Sequence, residues 1–293
     1  MKSAKSILLW VFAVVLSLLI GVFQRMTGPT HPVRGQDTIN GKSIQYRLLR
    51  SHTAFEDLPV AIKADTAEVK AFLAYKRYKT DDEWTEIEMK REGNHLEAKI
   101  PGQPVAGKVE YTIRIKSNDQ QVILNRGRSI VARFRGKVPS FFLIVHILLM
   151  LLGIIFALRT GMEALRKEGR YFGLVNWTLF IVFLGGIIFG PIVQKYAFGD
   201  FWTGFPFGFD LTDNKILLAF IFWIFAFFFK RKSKWWVLVA AILMIVEYLI
   251  PHSVLGSELD YETGKMNNKY SLYQKLPTRL VVSERTLVRF FGQ

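Results

Sequence analysis

The chain has 293 residues, 51% hydrophobic and 14% aromatic, with 25 phenylalanines and a formal net charge of +15 at pH 7. It contains no cysteine, which excludes disulfides, thiolate catalysis and cysteine-ligated metals or clusters. Its apolar residues gather in runs of bilayer-spanning length, so the basicity reads as membrane orientation, and nucleic acid is not expected as a partner.

The first run, 7–23 (ILLWVFAVVLSLLIGVF), follows Lys2 and Lys5. It is longer than a signal-peptide core, and no small-x-small cleavage site follows it. Residues 1–24 are therefore expected to form an uncleaved N-terminal transmembrane anchor.

From about 40 to 136 the pattern changes to period-two alternation. SIQYRLLR (43–50), LPVAIKA (58–64), VKAFLAYKRYK (69–79), WTEIEMKRE (84–92), HLEAKIP (95–101), VEYTIRIKS (109–117), QVILN (121–125) and RSIVARFR (128–135) read as short strands. The turn-forming stretches KTDDE, EGN, PGQPVAGK, SNDQQ and NRGR separate them. His95 and the acidic turn Asp81–Asp82–Glu83 read as ordinary surface, since calcium needs more oxygen ligands at defined spacing.

Within this segment, AYKRYKTDDEWTEIEMKREGNHLEAKIPGQPVAGKVEYTIRI resembles the second half of bacterial immunoglobulin-like or fibronectin-type-III-like domains. The residues that carry the resemblance are Trp84, the Ala98–Ile100–Pro101 turn and the Tyr111–Ile113 strand. It implies an immunoglobulin-like β-sandwich over 25–137, a module that binds, spaces or scaffolds.

Four further runs follow: 141–158, 172–193, 213–229 and 235–251. The run at 213–229 is uninterrupted only from Ile216, so it spans comfortably only if Leu211–Lys215 forms its first turn. The pair Gly186 and Gly190, in GIIFG, would let another helix of the chain approach closely. The expected fold is thus a membrane α-helical protein of five transmembrane helices, with an inserted all-β immunoglobulin-like sandwich outside the membrane. Residues 138–251 would form a four-helix bundle with an aromatic outer loop at 197–214. Residues 252–293 would form a tail that packs on that loop or adds a strand to the sandwich.

Arg159, Arg166, Lys167, Arg170 and the KRKSK stretch at 230–234 share one side with Lys2 and Lys5. Basic loops stay in the cytoplasm. This predicts a bacterial inner-membrane protein with its N-terminus cytoplasmic and its β domain and C-terminus extracytoplasmic. The organisation resembles bacterial polytopic inner-membrane proteins.

Ionisable residues inside a span are expensive and point to function. His146 and Glu247 qualify, and His252 follows at the surface. Asp200, Asp210, Asp213 and Trp202 belong to the same outer level and complete the candidate cluster. Two roles compete for it. In one, His146 and His252 hold a haem or metal, or Glu247 handles protons. In the other, Asp210 caps a helix with Asp213 as its capping-box partner, Glu247 pairs with Lys195, and the aromatic residues form an interfacial belt. The phosphate-binding loop, the nucleophile elbow and the zinc-binding HExxH are absent from the sequence.

The leading expectation is a non-enzymatic accessory or scaffold subunit, without a cofactor. Its outer domain and loops would bind a membrane or envelope protein, with the lipid bilayer as the other partner. The alternatives are a haem- or metal-bearing redox or haem-handling protein using His146 and His252, and proton-coupled small-solute transport through Glu247.

Overall fold

The computed structural model describes residues 2–65, 68–167, 169–251, 256, 258–264 and 266. Among these residues a long helix, α1 (Lys2–Thr27), precedes eleven strands. These are β1 (Val33–Ile39), β2 (Lys42–Leu48), β3 (Ser51–Thr53), β4 (Leu58–Ala64), β5 (Lys70–Arg77), β6 (Thr85–Glu88), β7 (Lys90–Glu92), β8 (His95–Ile100), β9 (Lys108–Ser117), β10 (Gln120–Ile123) and β11 (Ile130–Arg135). The helices α2 (Ser140–Leu165), α3 (Phe172–Val182), α4 (Gly190–Phe198), α5 (Leu211–Phe229) and α6 (Trp235–Leu249) follow. A π-helical segment, Phe183–Phe189, joins α3 to α4, making one apolar stretch from Phe172 to Phe198.

Alternation builds the strands, as in β4, where every second residue is buried. It does not choose their partners. One sheet runs β1-β2-β4-β8-β7, and the other runs β3-β11-β9-β5-β6 with β10 also on β9. Both contribute to one core that includes Ile44, Leu58, Ile62, Leu73, Ile113 and Phe134.

The immunoglobulin-like expectation needs correction. The second sheet is mixed, because the three-residue strand β3 pairs in parallel with β11. The segment WTEIEMKRE is two strands in different sheets, split at Met89, whose N–H bonds Ala71. Trp84 does not enter the core: it is 44% exposed and lies under the Lys76 ammonium. An immunoglobulin-like domain places its hallmark Trp against the core between two antiparallel sheets, and neither condition is met.

The count of five spans is corrected too. Among the described residues, four helical stretches are long and apolar enough to cross a membrane. The fifth run, α6, has 15 residues and rises about 22 Å, short of a hydrocarbon core of about 30 Å, yet it still leads from the 230–234 loop back to the end where Lys215 bonds the Glu247 and Ile250 carbonyls. It stops because Ile250 precedes Pro251 and is extended, as the pre-proline position favours. The first turn of α5 does include Leu211–Lys215.

The helices pack through small residues. A Cβ on Gly185 would fall 2.9 Å from Leu149 of α2, and one on Gly186 would fall 2.4 Å from Ile216 of α5. The GIIFG motif thus serves packing within the chain. Trp223 is fully buried and its indole N–H points at the Met244 sulfur, 3.3 Å away. Outward-facing side chains stay apolar, among them Leu8, Leu19, Phe141 and Phe228.

Candidate functional site

The helix directions bring three things to one end of the bundle: the β domain, the loop between α4 and α5, and the end of α6. The β domain is seated there directly. The Gly136 N–H bonds the Ala197 carbonyl at 3.0 Å. A Cβ at Gly136 would lie 2.1 Å from the Tyr196 carbonyl oxygen, so only glycine permits this approach. The Arg133 guanidinium, from β11, stacks 4.7 Å over the Phe198 ring.

The loop is held by its own polar groups. Asp210 caps α5 by accepting from the Thr212 N–H at 2.8 Å. Asp213 is buried, and its Oδ2 accepts from the Thr203 N–H at 2.6 Å, the Thr203 hydroxyl at 3.1 Å and the Gln194 amide at 2.9 Å. It is therefore not the expected capping-box partner. The Asp210 N–H goes instead to the Thr203 carbonyl. Asn214 accepts from the Phe205 N–H at 2.6 Å, and the Trp202 indole donates to the Phe205 carbonyl at 3.0 Å. With these groups satisfied internally, Phe201, Phe205, Phe207 and Phe209 remain exposed, Phe207 by 66%. Asp200 is half-buried at the start of the loop.

The histidine and glutamate are not brought together as a ligand set. The His146 Nδ1 lies 2.9 Å from the Gly185 carbonyl, in the π segment, where the Gly190 N–H also bonds Gly185. Pro191 lies at the start of α4; it has no N–H to donate and cannot sit in an unbroken helix, and a π turn accommodates it. Glu247 is 6% exposed, and its Oε1 has no hydrogen-bond partner among the described residues. Lys195 does not pair with it, bonding the Gly199 carbonyl instead. The cation near Glu247 is Lys215, whose ammonium donates to the carbonyls of Glu247 and Ile250 at 3.0 and 2.9 Å. His252 lies outside the described residues. Among those described, no group of three His, Asp or Glu side chains could hold a metal ion.

Two polar assemblies were not named from the sequence, which expected only that the tail would pack on the loop or add a strand to the sandwich. At the opposite end of the bundle, the buried Arg159 bonds Glu163 at 2.5 Å, reaches the Ser6 hydroxyl and lies over Trp10. This ties α1 to α2. The i, i+4 spacing of Arg159 and Glu163 was a visible signal, overshadowed by the basic residues around it. The second assembly is where the tail meets the β domain. Glu258 bridges Lys79 at 2.5 Å and Lys108 at 2.6 Å. The Tyr261 hydroxyl donates to the Lys108 carbonyl at 2.8 Å, and Arg77 stacks over its ring at 5.0 Å. Burial pushes the Lys108 ammonium below its ordinary pKa against the opposing pull of Glu258. Burial also raises Tyr261 to about 12. The described part of the tail thus docks on the β domain; its other residues lie outside the description.

Compared with protein-family models, curated proteins and solved structures, the chain shows no match.

Proposed function

We propose that this protein is a non-enzymatic scaffold of the bacterial inner membrane, whose β domain and aromatic loop engage a membrane or envelope protein on the extracytoplasmic face. The observation that carries this reading is the loop between α4 and α5. Its polar groups are spent on its own shape, through Asp213, Thr203, Gln194 and Asn214, and its phenylalanines face outward. Exposed aromatic residues on a preorganised loop are what interface hot spots are made of. The seat of the β domain beside Ala197 and Phe198 gives the same partner a second surface. The orientation is supported by the basic loops 166–170 and 230–234, which close the other end of the bundle. There the Tyr171 hydroxyl bonds the Lys230 carbonyl.

A photo-crosslinking residue placed at Phe207 in living cells tests the proposal. A discrete protein adduct is expected. It should vanish in Asp213→Ala, which strips the loop of its central acceptor. Adducts to lipid alone would overturn the reading.

A further inference from the structure

The tail contact on the β domain is built like a bound peptide. The receptor side is the turn between β5 and β6 together with the start of β9. Arg77 is held in place by a bidentate pair with Asp82, at 2.6 and 2.8 Å. Lys108 is largely buried, whereas Lys79 is exposed. The backbone offers the Ala106 and Lys108 carbonyls. Gly107 leaves room for the ligand: a Cβ there would come within 2.9 Å of the Tyr261 hydroxyl.

The ligand side is the short segment Glu258–Tyr261. Its Glu258 carboxylate sits between two ammonium groups. Its Leu259 N–H donates to the Ala106 carbonyl at 3.1 Å. The Tyr261 ring lies under Arg77 while its hydroxyl bonds the Lys108 carbonyl. The segment then turns on itself, with the Asp260 side chain accepting from the Glu262 and Thr263 N–H groups. A charged anchor, a main-chain hydrogen bond and an aromatic anchor three residues on make a recognition pattern, Glu-x-x-Tyr. The fit leaves space: a cavity of about 470 Å³ lies between the β5–β6 turn and the segment.

We propose that this notch is a peptide-recognition site for segments carrying Glu-x-x-Tyr, occupied in cis by residues 258–261 and open in trans to a partner peptide of the same chemistry. A tethered segment competes at an effective concentration on the order of mM, so the intact chain masks the site. The proposal does not depend on the aromatic loop, which stays unaltered in every variant below.

The experiment measures fluorescence anisotropy of a labelled peptide, SELDYETG, titrated with the full chain in mild detergent. Glu258→Ala with Tyr261→Ala disarms the tail without touching the notch. The disarmed chain is expected to bind the peptide at least tenfold more tightly than the intact chain. Lys79→Glu in the disarmed chain should weaken that binding at least tenfold. Lys79 is exposed, so its reversal leaves the fold intact. Equal binding by intact and disarmed chains, no binding by the disarmed chain, or binding indifferent to Lys79→Glu would each overturn the proposal.

Discussion

The Glu258 carboxylate anchors the described part of the tail to the β domain through Lys79 and Lys108. Burial alone would raise its pKa, but the hydrogen bonds from Lys108 and Lys79 outweigh that and hold it below the ordinary 4.5. Arg133 adds a third positive charge to its surroundings. A carboxylate that is more acidic when docked than when free favours docking above its free pKa. The contribution is lost as pH falls through the lowered, docked value. Spin labels on cysteines introduced at Asp119 and Thr263, both exposed, report the separation, and the absence of natural cysteine makes them unique. One narrow distance distribution is expected at neutral pH, broadening below about pH 4. Glu258→Gln should abolish that transition; the same transition in Glu258→Gln would assign it to another group. At this scale the sequence was partly legible. Asp210 could be recognised as a helix cap because capping is local chemistry. The part played by Asp213 could not, because its partners Gln194 and Thr203 come from the preceding helix and loop.

The elements show which local rules survive packing. The expected strands largely form, since alternation is imposed by a half-buried sheet. Their pairing depends on contacts far apart in sequence. β3 is too short to leave a pattern, and nothing within WTEIEMKRE marks Met89 as the point where the chain changes sheets. The long apolar helices are legible because their residues form continuous apolar runs, and the shortness of α6 follows from Pro251. The π segment tests how closely they fit. Gly186→Val would drive a side chain into Ile216, and overpacking costs about 1–3 kcal/mol. The detergent-solubilised protein should lose several degrees in Tm, and Ile216→Ala should recover part of the loss by making room. Gly173→Ala, where a Cβ meets open space, should be nearly neutral. Equal effects at Gly173 and Gly186 would mean that helix propensity, and not the close approach of α5, accounts for the glycine.

The whole molecule has two unlike ends. One carries the Arg159–Glu163 pair that binds α1 to α2 and the basic loops. The other gathers the β domain, the phenylalanine loop and the described part of the tail. The sequence showed this polarity through its charges, but the docking of Gly136 on Ala197 and of Glu258 on Lys79 and Lys108 only appears once the chain is folded. In the proposed orientation the second end faces outward as one surface. Single cysteines at Phe207, Asp119 and Ser233, probed with a membrane-impermeant maleimide in intact spheroplasts, test it directly. Labelling is expected at Phe207→Cys and Asp119→Cys, with Ser233→Cys reacting only after permeabilisation. Labelling of Ser233→Cys in intact spheroplasts, with the other two protected, would contradict it.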